Sequence, residues 1–271
     1  MSRVQPLITV AGAGGFIGGA LVADLRAKGH TRIRAIDIKP FDHWYQKFDD
    51  VESHTLDLSL LDNCRIAAEG AHTIYNLAAD MGGMGFIENN KALCMITVLI
   101  NTHLCMAAKE AGVERFFYAS SACVYNGEKQ KEYHIPALKE SDAYPALPED
   151  GYGWEKLFSE RMCRHFREDF GLKTRVARYH NVYGPHGTWD GGREKAPAAV
   201  CRKVALQRSP ASMRSKSGAP VTRLAVSCTS RTAFTAPRCF LTVTLPILST
   251  LAAPRWSAST SLSISPRRLG T

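Results

Sequence analysis

Three glycines spaced as Gly12, Gly15 and Gly18 stand between an apolar run and a helix-patterned one, and no other stretch restricts the fold as much. Before them, residues 7 to 12 read Leu-Ile-Thr-Val-Ala-Gly, the length and composition of a strand covered on both faces. After them, Gly15 to Leu25 carries apolar residues at helical spacing. Strand, glycine turn and helix in that order bring the helix N-terminus, with its unpaired amides, to the strand's carboxyl end. The first glycine permits the tight turn, the second lets a pyrophosphate approach the backbone, and the third lets helix and strand pack closely.

Further runs repeat the pattern. Arg32 to Asp37, His72 to Ala79, Arg115 to Ser121 and Lys173 to Tyr179 read as strands, while Asn89 to Ala111 and Tyr152 to Phe170 read as helices. Strands alternating with helices at this spacing predict an α/β fold, a Rossmann-type doubly wound parallel sheet. Asp37 ends the second strand about 20 residues past the glycines, where a carboxylate accepts both ribose hydroxyls of a dinucleotide. An acid there repels a 2′-phosphate, so NAD is favoured over NADP.

Tyr152 and Lys156 stand at i and i+4, on one face of a helix. A lysine there, with a nearby nicotinamide cation, is expected to lower the phenol's pKa toward a usable acid/base. Ser121 ends a preceding strand and supplies a third hydrogen-bonding group. Cys123, two residues on, is expected to point to the same side of an extended chain.

Gly12, Gly15, Gly18, Asp37, Ser121, Tyr152 and Lys156 together resemble the extended short-chain dehydrogenase/reductase superfamily, the NAD-dependent epimerases and dehydratases of nucleotide sugars. Three longer strings resemble its GDP-mannose 3,5-epimerase branch: Asn76-Leu-Ala-Ala-Asp-Met-Gly-Gly-Met-Gly-Phe-Ile87, Ser120-Ser-Ala-Cys-Val-Tyr125, and the stretch from Tyr179 to Ala199. The likeness covers about Leu7 to Val204. It implies that Tyr152 takes the proton of the sugar C4 hydroxyl during oxidation by NAD, with Lys156 and Ser121 holding the phenolate and the hydroxyl. The resulting 4-keto sugar has acidic hydrogens at C3 and C5, and Cys123 matches the family's base and Lys195 its acid. Reduction at C4 then regenerates NAD. The resemblance further implies that Phe16, Ile17, Asp57 and Leu58 join the cofactor site, and that Gly82, Gly83, Met84, Asn181 and Lys195 bind the sugar nucleotide, Gly82 and Gly83 by letting backbone amides approach the hexose. The intact family member is expected to be a homodimer, with GDP-mannose as its small-molecule partner and no metal.

Composition bounds the remaining classes. The eight cysteines contain no CxxC pair, and the sequence runs from Met1 into a strand with no secretory leader, which together predict a cytoplasmic protein with reduced thiols. Apolar stretches are read as too short to span a bilayer, so no membrane partner is expected. The net charge of +9 suggests nucleic acid at first sight. However, the 68 residues after Lys203 hold nine Lys/Arg and no Asp or Glu, leaving 25 basic against 25 acidic residues in the body. The excess belongs to a segment without a groove-reading motif, so nucleic acid is not an expected partner.

Ser and Thr make up 21 of those 68 residues, with six prolines. A shifted reading frame accounts for this better than a selected tail. Read one nucleotide earlier, the codons of residues 214–234 permit EIEIWGAGDAPRSFMYIEDCI, and those of residues 247–271 permit DPLNLGSAEVVSINELVDIAEAIGN. Both strings resemble the family's C-terminal region, which closes over the nucleotide diphosphate. Residues 1–203 are therefore read as the NAD-binding domain with the catalytic residues, and 204–271 as an out-of-frame tail in place of the substrate domain. Two other readings stay open: an epimerase or dehydratase of UDP- or dTDP-sugars, and a non-catalytic NAD-binding remnant.

Overall fold

The computed structural model describes residues 4–130, 138–180 and 182–208. In chain order the elements are β1 (Leu7–Ala11), α1 (Phe16–Ala27), β2 (Ile33–Asp37), β3 (Glu52–Thr55), α2 (Leu61–Ala68), β4 (Ala71–Asn76), α3 (Met84–Asn89), α4 (Lys91–Ile96), α5 (Val98–Glu110), β5 (Arg115–Ser121), α6 (Tyr152–Phe170), β6 (Lys173–Tyr179) and α7 (Ala196–Arg208). The six strands form one sheet in the order β3-β2-β1-β4-β5-β6. Every pairing is parallel, with Val10 opposite Ala35 on one side and Tyr75 on the other. This is the doubly wound sheet that the sequence predicts.

Alternation along the strands divides the core in two. Ile36, Ile74, Phe116 and Tyr118 face Cys64 of α2, Leu104 and Cys105 of α5, and Cys163 of α6. Ile8, Val10, Ala35, Tyr75 and Phe117 face Leu21, Val22 and Leu25 of α1, together with Trp44. Each such fully buried aliphatic or aromatic side chain contributes roughly 1.5–3 kcal/mol. The chain passes from one side of β1 to the other between β3 and β4, and the crevice opens there at the strands' carboxyl ends.

Several boundaries differ from the sequence reading. The stretch expected as one helix from Asn89 to Ala111 is cut at Asn90 and Thr97. Thr97 Oγ1 accepts the backbone N–H of Asp80 at 3.3 Å, in the loop before α3, and Asn90 Nδ2 donates to the Phe86 carbonyl of α3 at 2.9 Å, so each break serves a preceding segment. Strand β3 and helix α2 had no sequence signal. β3 is a polar edge strand, where burial imposes no alternation. Helix α7 continues past Lys203 to Arg208.

The run Lys91–Glu110 is, at 20 residues and a mean hydropathy of 1.5, long and apolar enough to cross a membrane by length and composition, contrary to the reading above. In this fold α5 lies between α2 and α6 and buries Leu104, Cys105 and Ala108 against the sheet.

Candidate active site

The crevice is a cleft of about 1240 Å³ bordered by the glycine turn, the ends of β2, β4, β5 and β6, the start of α6 and the chain before α7. On its sheet side, Gly12 has φ +83°, and a Cβ there would lie 2.8 Å from the Ala78 nitrogen. A Cβ at Gly18 would lie 2.1 Å from the Gly12 carbonyl oxygen, so helix and turn meet backbone to backbone. Helix α1 carries no acidic residue in its first turn, which leaves its leading amides facing the cleft without a competing charge. Asp37 ends β2, buried to 8% exposure, and its Oδ1 accepts the Lys39 N–H at 3.0 Å. This donor set fits a dinucleotide: amides for a pyrophosphate, a carboxylate for ribose hydroxyls, and no room for side chains where phosphates approach. Phe16, Ile17, Asp57 and Leu58 line the same wall.

Tyr152 opens α6 and is almost fully buried. Its neighbour Gly153 stands so close to the Cys123 carbonyl oxygen that a Cβ would lie 2.4 Å from it, which fixes α6 against the end of β5. Lys156 lies one turn on, 2% exposed, with Nζ 5.4 Å from the Tyr152 ring centroid and 4.8 Å from that of Tyr118. Sequence reasoning missed its partner: Glu155 Oε2 lies 3.4 Å from the Lys156 ammonium. Glu155 Oε1 accepts the Tyr118 and Ser159 hydroxyls, each at 3.0 Å. A buried charge needs such a partner, since an unpaired one would be strongly destabilising.

The protein groups alone shift the phenol opposite to the lowering expected of Lys156 with a nicotinamide cation beside it. Burial pushes Tyr152 well above the usual tyrosine range, the Glu155 and Cys123 charges add to the rise, and the Ser121 hydrogen bond works against it. Among the protein's own groups, burial therefore outweighs the Ser121 hydrogen bond.

Cys123 also differs from expectation. β5 ends at Ser121, and Ala122–Val124 form a turn of 3-10 helix instead of extended chain. Ser121 Oγ accepts the Cys123 N–H at 3.2 Å and so caps that turn, which draws the two side chains together by another route. Cys123 is half-buried and packs with Ile87, Cys94 and Tyr152. Burial raises its thiol pKa most, Ser121 and Lys195 lower it, and Glu149 raises it. Glu149, whose Oε2 accepts the Gly153 N–H at 3.1 Å, is a second acid without a sequence signal, and burial raises its own pKa.

Lys195 immediately precedes α7 and borders the cleft. Its ammonium donates to the Gly82 carbonyl at 3.1 Å, and burial lowers its pKa while Cys123 raises it. Gly82 and Met84 line the cleft as well, whereas Gly83 and Lys156 stand behind the wall. The Gly83 amide is directed elsewhere than to a hexose: it donates to the Arg193 carbonyl at 3.1 Å, and a Cβ there would lie 2.6 Å from the Glu194 carbonyl oxygen. Asn181 lies outside the described residues.

A parallel doubly wound sheet with these groups at its switch point is the architecture of a dinucleotide-dependent enzyme acting on a second ligand beside the cofactor. The sequence profile of the NAD dependent epimerase/dehydratase family matches residues 8–219, and the chain belongs to that family. It is 51% identical over 198 residues to GDP-mannose 3,5-epimerase 1 of Oryza sativa subsp. japonica, a match covering 73% of this chain and 52% of the rice protein. It is 49% identical to GDP-mannose 3,5-epimerase of Arabidopsis thaliana, with the same coverage of 73% and 52%. The chain thus spans about half the length of the curated relatives it matches. Among solved structures, the UDP-N-acetylglucosamine 4-epimerase from Methanobrevibacter ruminantium M1 shares the fold with a TM-score of 0.64 at 22% identity, covering 77% of this chain and 65% of that one.

Proposed function

We propose that this chain carries the cofactor-binding and catalytic part of an NAD-dependent nucleotide-sugar epimerase, with GDP-mannose as substrate and C3 and C5 as the inverted centres. One observation carries the reading: Cys123 and Lys195 border the same cleft as Tyr152 and Ser121, so groups for oxidation and for carbon acid–base chemistry reach one ligand. NAD, when bound, supplies a reversible two-electron acceptor for C4. Tyr152, hydrogen-bonded by Ser121, takes the C4 hydroxyl proton and later returns it. Lys156, with its Nζ 3.4 Å from Glu155 and 5.4 Å from the Tyr152 ring centroid, favours the phenolate form in which Tyr152 accepts that proton, and a bound nicotinamide cation would favour it further. The C4 ketone stabilises the carbanions at C3 and C5 as enolates. Cys123 removes a proton from one face, and Lys195 delivers one to the other.

The second part of the proposal concerns residues 204–271, read as an out-of-frame segment. The match to the two GDP-mannose 3,5-epimerases takes in 73% of this chain and leaves the rest unmatched, which supports it. On this reading the 271-residue chain binds NAD but does not turn over GDP-mannose, and restoring the frame after Lys203 gives turnover. Incubating the frame-restored protein with GDP-mannose, UDP-glucose and dTDP-glucose separately tests both parts. Conversion of GDP-mannose alone is expected, whereas conversion of a UDP- or dTDP-sugar alone would give the site to another substrate. Turnover of GDP-mannose by the unaltered chain would refute the frame-shift reading.

A further inference from the structure

The loop from Asp80 to Gly83 stands between the two groups that the proposed epimerisation uses. On one side Met81, with Phe86 just beyond the loop, packs in the apolar cluster of Ile87, Cys94, Tyr152 and Cys123. On the other side it receives the chain that leads into α7. The Gly83 N–H donates to the Arg193 carbonyl, the Glu194 carbonyl fills the space a Cβ at Gly83 would need, and the Lys195 ammonium donates to the Gly82 carbonyl. The Arg193 side chain closes this contact. It is ion-paired and hydrogen-bonded to Asp80, and its guanidinium lies 3.9 Å from the Phe86 ring centroid, so one side chain grips the loop at both ends. From α7, Arg202 holds Glu194 at 2.9 Å and Asp190 at 3.1 Å, which steadies the backbone on the far side of Arg193.

We propose that Arg193 and Asp80 form a latch that fixes the Lys195 ammonium opposite the Cys123 thiol, which makes both of them positioning residues for the acid–base pair. The inference rests on the pairing of Cys123 with Lys195 proposed above. Lysine is a point charge on a flexible stem, so its place must come from its surroundings. No carboxylate partners Lys195 among the described residues; a backbone carbonyl of the latched loop directs it. Met81 of the same loop and Cys123 both pack against the cluster of Ile87, Cys94 and Tyr152, so the loop ties the surroundings of the acid to those of the base. Arg193 and Asp80 are each more than two-fifths exposed, and an ion pair so placed contributes little to stability. Its effect is on geometry, and variants that break it should fold.

The test is the pH profile of iodoacetamide alkylation at Cys123, followed by peptide mass spectrometry on the full 271-residue chain. The midpoint reports the thiolate equilibrium, while the plateau reports access. In the parent protein, Lys195→Met is expected to raise the midpoint by roughly half a pH unit or more, because a facing cation is lost. In an Arg193→Ala background the same change should move it less than half as far, since the ammonium has already left its place. Asp80→Asn should reproduce that attenuation, and Arg193→Lys, which retains charge without the flat stack on Phe86, should restore part of the full shift. Equal shifts in the presence and absence of Arg193 would overturn the latch and leave the pair standing. No shift from Lys195→Met in either background would remove the pair itself, and both readings with it.

Discussion

The two walls of the cleft are built in different ways. The sheet-side wall consists of strand ends and a helix start: Gly12, Gly18, Asp37, Ser121 and Tyr152 are placed by parallel ladders and by backbone contacts too tight for a side chain. The opposite wall has no ladder beneath it. Gly82, Arg193 and Lys195 are held by one ion pair, Arg193 with Asp80, and one bond from the Lys195 ammonium to the Gly82 carbonyl, each joining residues 113 apart in sequence. The first wall is tied to the cooperative core, and the second can be altered without unfolding it. Cofactor binding should therefore fail only with the fold or its turn, whereas acid–base chemistry should be adjustable by single surface charges.

The largest expected effect strikes the sheet side. Tyr75, Tyr118, Tyr152 and Tyr179 are held protonated by burial, Tyr75 pushed up to about 12 and the other three well above the usual tyrosine range. Between the unfolded value near 10 and these raised values, the folded state binds more protons than the unfolded one. Stability is thus fully present below about pH 10 and falls as the pH rises, by about 1.4 kcal/mol per pH unit for each phenol. Urea midpoints at pH 9, 10 and 11 should drop steeply over the last step. A flat profile would mean that these phenols are not buried as described.

Next in size is Gly18→Val. Its Cβ cannot be placed 2.1 Å from the Gly12 carbonyl oxygen, so the turn must open and NAD affinity should fall by at least about 100-fold in calorimetric titration. Asp37→Asn keeps an acceptor for the Lys39 amide but removes the charge. It should narrow the preference for NAD over NADP about tenfold, and equal affinities in the parent protein would refute the role given to Asp37. The smallest effect sharpens the contrast. Gly83→Ala forces a Cβ against the Glu194 carbonyl, yet NAD affinity should stay within about threefold, because that strain lies wholly in the loop wall.

The same division explains what could be read from the sequence. Strands Arg115–Ser121 and Lys173–Tyr179 and helix Tyr152–Phe170 are legible to the residue because period and flanking glycines agree. The glycine turn and Asp37 are legible because their spacing is local. The breaks at Asn90 and Thr97 are not, since one answers a hydrogen bond to the carbonyl of Phe86 in α3 and the other a hydrogen bond from Asp80 in the loop before it. Cys123 was expected on extended chain and stands on a 3-10 turn because the Ser121 hydroxyl caps it. Glu155 carries no spacing signal, because one of the two hydroxyls that converge on it, that of Tyr118, comes from β5, 37 residues away. The role of Gly83 was read as substrate approach, while its amide and its missing Cβ serve the chain at Arg193 and Glu194.

In the proposed mechanism the two walls act in sequence on one sugar, the sheet side making the ketone and Cys123 with Lys195 using it. Proton NMR of GDP-mannose in deuterium oxide, with the frame-restored protein and NAD, tests this most directly. Deuterium should enter at C3 and C5 with the parent protein. Tyr152→Phe should abolish that exchange because no ketone forms. Cys123→Ala should abolish it while leaving oxidation at C4 detectable as cofactor absorbance near 340 nm, a property of the reduced nicotinamide (roughly this wavelength for any such cofactor). Exchange by Cys123→Ala at the parent rate would contradict the account, because the base would then lie elsewhere.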